Sequence, residues 1–162
     1  MEKTNDYYAI TLFDNEGTLK HVIFDIQLRI KYPLSFSGNV TVNTINYWTV
    51  AAVVDTGATI SCITSRMVNR MGLSSCGEFD FTHAKGKGVS PVYICDVVFP
   101  KNKLIEDVEV SEISDEHNFD FLIGMNIISM GDMALTSVNG KTAFSFRIPP
   151  AEKYIDFELD DH

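Results

Sequence analysis

Long apolar runs are missing from this sequence, which excludes a membrane-crossing helix built from ~18–20 apolar residues. The longest candidates, residues 50–54 and 119–125, are too short and have acidic neighbours. Positive charge is also scarce: 13 Lys and Arg face 22 Asp and Glu, for a net charge of −9. A nucleic-acid surface needs clustered Lys and Arg, so no nucleic-acid partner is expected. The cysteines are few, Cys62, Cys76 and Cys95, and their spacing fits neither a disulfide framework nor a zinc site. Reduced thiols are the economical reading, with Cys62 a core residue rather than a nucleophile. His21, His83, His117 and His162 lie singly in polar segments, so no metal pair is expected. Residues 1–8 lack the basic and apolar regions of a secretion signal, which points to the cytoplasm.

What is present reads as one globular domain. The 162 residues are 45% hydrophobic and 22% charged, near globular averages, and a domain of this size buries roughly 68–70% of its unfolded surface. No repeat, low-complexity stretch or Pro- or Gly-rich linker interrupts it. Residues 1–150 are expected to form a single domain. Pro149-Pro150 then separates it from an acidic tail, 151–162, where Glu152, Asp156, Glu158, Asp160 and Asp161 outnumber Lys153.

The texture is mostly β. Residues 8–13 and 19–30 are rich in Ile, Val, Phe and Tyr, with a turn at Asp14-Asn15-Glu16-Gly17 between them. Ile26, Leu28 and Ile30 alternate with Gln27, Arg29 and Lys31, the pattern of a half-buried strand. Ser37-Gly38-Asn39 marks another turn, followed by strands at 40–42 and 47–54. Strands at 133–138 and 141–148 flank Asn139-Gly140, a strong hairpin signal. Thr64 or Ser65 is placed to cap a short helix through Met67, Val68 and Met71, stopped by Gly72. Residues 126–130 suit one further helical turn before Gly131. The expected class is all-β with one or two short helices.

Two glycine-containing segments look like phosphate loops and are not. Gly140-Lys141-Thr142 lacks the earlier glycine, its position being Leu135, and sits in a hairpin context. Gly86-Lys87-Gly88 is too short for a phosphate cradle and reads as a hairpin tip. Chemistry concentrates instead at Val53-Val54-Asp55-Thr56-Gly57-Ala58, where an apolar strand runs straight into a carboxylate. Placing a carboxylate there is costly without compensation, and Gly57 allows a turn that brings peptide N–H groups close to it. An ordinary turn is the plain alternative, since Asp, Thr and Gly all favour turns. Far downstream, Phe121-Leu122-Ile123-Gly124 repeats the pattern of an apolar strand ending at a glycine.

The pairing of Asp55-Thr56-Gly57-Ala58 with Leu122-Ile123-Gly124 resembles the retropepsin-like aspartic proteases, the single-lobe class that includes retroviral proteases. Residues 122–132 and Ser145-Phe146-Arg147 look especially like bacterial members. The resemblance covers roughly residues 24–148 and implies a closed retropepsin-like β-barrel, with residues 1–22 as an N-terminal β extension. It also implies that Asp55 is the catalytic carboxylate and that Thr56 links two active-site loops across a dimer. Gly57 and Ala58 would shape the loop, and Leu122, Ile123 and Gly124 would support it from beneath. A flap hairpin is implied as well, for which residues 82–92 are the candidate, with Gly86 and Gly88 near its tip. No cofactor or metal is implied. The partners are a second copy of the chain and a peptide or protein substrate, with no membrane involved.

The sequence has one Asp-Thr-Gly, whereas the chemistry needs two carboxylates about a water, so an enzyme of this kind works as a homodimer. Ala58 cannot donate a hydroxyl hydrogen bond to the carboxylate, as Ser or Thr would, so the expected pH optimum lies nearer neutrality than that of a digestive aspartic protease. A non-catalytic dimerisation or peptide-binding domain on the same fold is the alternative. A purely structural β domain with Asp55 capping a turn is a third.

Overall fold

The computed structural model describes residues 8–13, 21–30, 45–83, 86–154 and 156. The strand expected at 40–42, the turns at 14–17 and 37–39 and most of the acidic tail lie outside the described residues. In chain order the strands are β1 (Tyr8–Phe13), β2 (Ile23–Arg29), β3 (Tyr47–Val54), β4 (Ser61–Thr64) and β5 (Gly77–His83). They continue with β6 (Gly86–Phe99), β7 (Lys103–Ile113), β8 (Phe121–Ile123), β9 (Asp132–Val138) and β10 (Lys141–Ile148). Two short helices accompany them, α1 (Ser65–Met71) and α2 (Met125–Ile128). Two compact units emerge, one from residues 21–127 and one from residues 1–20 with 128–162.

In the first unit the strands follow the order β2-β3-β8-β4-β7-β6, and β2 pairs again with β6 to close a barrel, with β5 added beyond β6. The expected all-β barrel with short helices is what forms. Strand β3 is central, antiparallel to β2 and parallel to β8. Ile26, Leu28, Val50, Ala52, Ile63, Val97, Val110, Phe121 and Ile123 fill the interior. Ile26 and Leu28 are the inward residues that the alternation in β2 predicts, whereas Ile30 falls just past the strand end.

The barrel closes where Arg29 meets Asp96. A bulge at Asp96 breaks the register between β6 and β7. The Asp96 side chain, 1% exposed, accepts from Arg29 Nε at 2.7 Å and from the Asp107 amide at 2.9 Å. Asp107 itself adopts a left-handed φ of 56°. A buried carboxylate is tolerated here because both oxygens have donors.

Helix α1 lies where its apolar spacing predicts, burying Met67, Val68 and Met71 and ending at Gly72 with φ 69°. Its capping differs from expectation. Thr64 occupies the N-cap position, but its hydroxyl donates to Asp120 Oδ1 instead of capping, and Asp115 Oδ1 accepts the Arg66 amide at 2.8 Å.

In the second unit β10 lies between β1 and β9, antiparallel to both. Asn139 and Gly140 have φ of 50° and 76°, the two positive values that a two-residue hairpin turn of this hand demands. Phe144, Phe146 and Ile148 are buried on one face of β10. Across the pair Arg147 binds Asp132, whose carboxyl is held below the ordinary range by the Ala151 amide and then by Arg147. Gly131 is required here, since a Cβ would lie 1.8 Å from the Arg147 carbonyl oxygen.

Candidate active site

Asp55 follows directly on β3, so its position is set by strands on either side. The Val54 amide donates to Val22 O at 2.9 Å, and the Asp55 amide donates to Ile123 O at 3.0 Å. The chain then turns back on itself, with the Ala58 amide reaching Asp55 O at 3.3 Å. The Gly57 amide donates to Asp55 Oδ1 at 2.8 Å. A Cβ on Gly57 would sit 3.1 Å from that same oxygen, so glycine suits this close approach. Asp55, Thr56 and Gly57 are all exposed in the single chain. Among the described residues the Thr56 hydroxyl has no hydrogen-bond partner.

Beneath the loop, the Leu122-Ile123-Gly124 segment meets it through backbone contacts. The Met125 amide donates to Ala58 O at 2.8 Å and the Asn126 amide to Thr59 O at 3.2 Å. Gly124 passes so close to Ile60 that a Cβ would lie 2.6 Å from the Ile60 carbonyl carbon and 2.9 Å from the Ser61 nitrogen. Leu122 pairs with Val53 on one side and Cys62 on the other. The two motifs, far apart in sequence, are therefore joined strand to strand.

Three residues that the sequence reading passed over, Ser61, Asn126 and Arg66, complete this junction. Asn126 Oδ1 accepts from the Ser61 amide at 2.8 Å and from Ser61 Oγ at 2.7 Å. Ser61 Oγ accepts from the Gly124 amide at 3.0 Å, and Asn126 Nδ2 donates to Glu109 O at 2.9 Å. Ser61 is fully buried, so its hydroxyl needs both roles filled. Arg66 is the third. It binds the Asp120 carboxylate and donates to the carbonyls of Asp115, His117 and Phe119, gathering the loop that enters β8. A serine, an asparagine and an arginine at unrelated spacings carry no local signal of such partnership.

Strands β5 and β6 form a hairpin beside the loop, registered from Gly77 with Val92 to His83 with Gly86. The expected flap range, 82–92, takes in the last two residues of β5 and the first part of β6, while β5 itself begins at Gly77. Gly86 opens the returning strand, and Gly88 lies under the Phe81 ring, whose Cζ would be 2.5 Å from an added Cβ. Pro91 is accommodated where β6 pairs with β5 but has not yet met β7. Phe79 and Phe81 wall a cavity of about 400 Å³ that runs to residues 57–60 and is floored by Cys62 and Ser111. Cys62 Sγ lies 3.3 Å from Ser111 Oγ. Burial pushes its thiol up; the Ser111 hydrogen bond opposes that, and the nearby Asp55 charge adds to it.

Residues 40–130 match the family described as "gag-polyprotein putative aspartyl protease". The fold is similar to the crystal structure of a retropepsin-like aspartic protease from Rickettsia conorii, with a TM-score of 0.51 at 14% sequence identity. That match covers 88% of this chain and 94% of the other. No curated protein sequence matches. The family match spans more than half of the sequence and includes both the Asp-Thr-Gly loop and the strand beneath it, so the chain belongs to the retropepsin-like aspartyl protease family.

Proposed function

We propose that the chain is an aspartic endopeptidase whose active site forms when two copies bring their Asp55 carboxylates together around one water. The observation that carries this reading is an Asp-Thr-Gly loop anchored through Asp55 N, Gly57 N and Ala58 O, with its carboxylate exposed beside an aromatic-walled cleft. A lone carboxylate on a surface loop does not cleave amides, whereas two held a few ångströms apart share one proton. The ionised member then accepts a proton from water as that water attacks the scissile carbon, and the protonated member donates to the carbonyl oxygen. The resulting titration belongs to the pair.

Thr56 links the second copy in this reading. Its exposed hydroxyl, without a partner among the described residues, bonds the opposing loop in that dimer. Gly57 and Ala58 shape the loop, and Leu122, Ile123 and Gly124 hold it from below. The β5–β6 hairpin acts as the flap over an extended peptide. Catalysis draws on these protein groups without a cofactor.

Asp55→Asn tests the proposal. Cleavage of a peptide library is expected to vanish while self-association persists. Cleavage that survives the substitution overturns the reading, and a wild type that binds peptides without cutting them favours a non-catalytic binding domain.

A further inference from the structure

A glycine inside a strand forfeits a side chain and marks a close approach by another group. Gly88 lies within β6 and, unlike Gly72 and Gly140, does not take a left-handed φ. Backbone conformation therefore does not call for glycine here. Its cross-strand neighbour Phe81 does. A Cβ at position 88 would lie 2.5 Å from Phe81 Cζ, 3.0 Å from Cε2 and 3.1 Å from Cε1. The far end of the ring is thus laid across the glycine, in the space that any other side chain would fill.

Residues directly opposite in an antiparallel pair share a face. Phe79 stands opposite Ser90 and Phe81 opposite Gly88. Phe79, Phe81 and Ser90 all border the cavity of about 400 Å³ beside residues 57–60, so position 88 is on the cavity side of the hairpin. Asp80 alternates to the other face with Val89, which is 58% exposed. Glu112 also borders the cavity, but its carboxylate is bound by Ser65 Oγ and the Tyr93 hydroxyl, each at 2.5 Å. Ser90 Oγ donates to Glu112 O at 2.7 Å. Among the described residues that line the cavity there is no Lys, Arg or His. A charged side chain entering it would lose water without gaining a counter-charge.

We propose that the Phe81–Gly88 pair sets the size of the substrate side chain that this cavity accepts, a bulky uncharged one, because the recess at Gly88 draws the ring clear of the space beside residues 57–60. This rests on the proposed function in one respect: the occupant is a side chain of the bound peptide because Gly57 and Ala58 of the Asp-Thr-Gly-Ala loop line the same cavity.

A double-mutant cycle tests the pair. Wild type, Gly88→Ala, Phe81→Ala and the double variant are assayed on peptides in which one position at a time carries Ala, Leu, Phe, Trp, Lys or Glu. Gly88→Ala displaces the ring and is expected to lower the Leu-to-Ala and Phe-to-Ala ratios of kcat/KM at one position by about tenfold or more. In the Phe81→Ala background the same substitution is expected to leave those ratios unchanged, since no ring remains to be displaced. Phe81→Ala alone is expected to raise the Trp-to-Leu ratio, and Lys and Glu are expected to be rejected at that position by the wild type. A hairpin that was merely loosened would depress all peptides alike. Uniform loss in Gly88→Ala, an equal shift without the ring, or an unaltered profile in Phe81→Ala overturns the proposal and leaves the shared active site standing. Where the wild type binds the peptides without cutting them, the same ratios are read from Kd, and a size-selective weakening that vanishes with Phe81 supports the pair while removing only the enzymatic reading. A wild type that neither cuts nor binds any of the peptides overturns both.

Discussion

Replacing Gly124 with alanine probes how tightly the Asp-Thr-Gly loop is held to the strand beneath it. The added Cβ would meet the Ile60 carbonyl carbon at 2.6 Å, its oxygen at 2.7 Å and the Ser61 nitrogen at 2.9 Å. All three are backbone atoms of the segment leading into β4, so no side-chain rotation relieves the clash. Overpacking of this kind costs about 1–3 kcal/mol. If the segments separate instead, the bonds Asp55 N to Ile123 O and Gly124 N to Ser61 Oγ stretch, at about 0.5–1.5 kcal/mol each. Restricting the unfolded chain returns about 0.4–1 kcal/mol. A net loss of about 2 kcal/mol is predicted, a factor of roughly thirty in the folded-to-unfolded ratio. Urea unfolding at fixed protein concentration measures it: the midpoint should fall by about 1 M with the slope unchanged. Gly77→Ala is the control, because nothing lies within 4 Å of its added Cβ, and a change under about 0.5 kcal/mol is expected. Equal midpoints for the two variants would refute the close-approach argument.

Arg29→Ala should cost about 3–5 kcal/mol, since it strips the nearest cation from a carboxylate that is 1% exposed; a denaturation midpoint close to wild type would show that Asp96 is compensated elsewhere. Thiol labelling of the native protein should be rapid at Cys76 alone, because burial, followed by the adjacent Asp96 charge, pushes the Cys95 thiol up to about 12, and burial also raises Cys62. Fast reaction of two or more thiols before unfolding would contradict that. The Asp132 carboxyl is held below its ordinary value of 3.8 by the Ala151 amide and Arg147. Its contribution to stability is therefore present at neutral pH and lost only as pH falls through that lowered value. Carboxyl NMR should place its midpoint below 3.8, and Asp132→Asn should remove that part of the acid dependence.

Several elements are legible in the residues themselves. Strands Tyr8–Phe13 and Tyr47–Val54, the Asn139-Gly140 hairpin and the helix ended by Gly72 lie where local pattern places them. Each signal is contained within a few residues: alternation of side chains, a turn demanding positive φ, an apolar stripe stopped by glycine. The Asp-Thr-Gly-Ala motif is legible for the same reason, as the carboxylate and the amide that binds it are two residues apart. Strand β7 escaped notice because left-handed Asp107 interrupts its alternation, spacing buried Ile105 and Val108 three apart. Strand β5 escaped because its purpose is defined by the partner it pairs with and the cleft it walls. The parallel pairing of β3 with β8, the Asn126–Ser61 junction and the Arg66 clasp were decided only by tertiary structure. Partners so distant along the chain leave no periodicity to read; they are selected when closure of the whole barrel leaves each buried polar group a single place to find its complement.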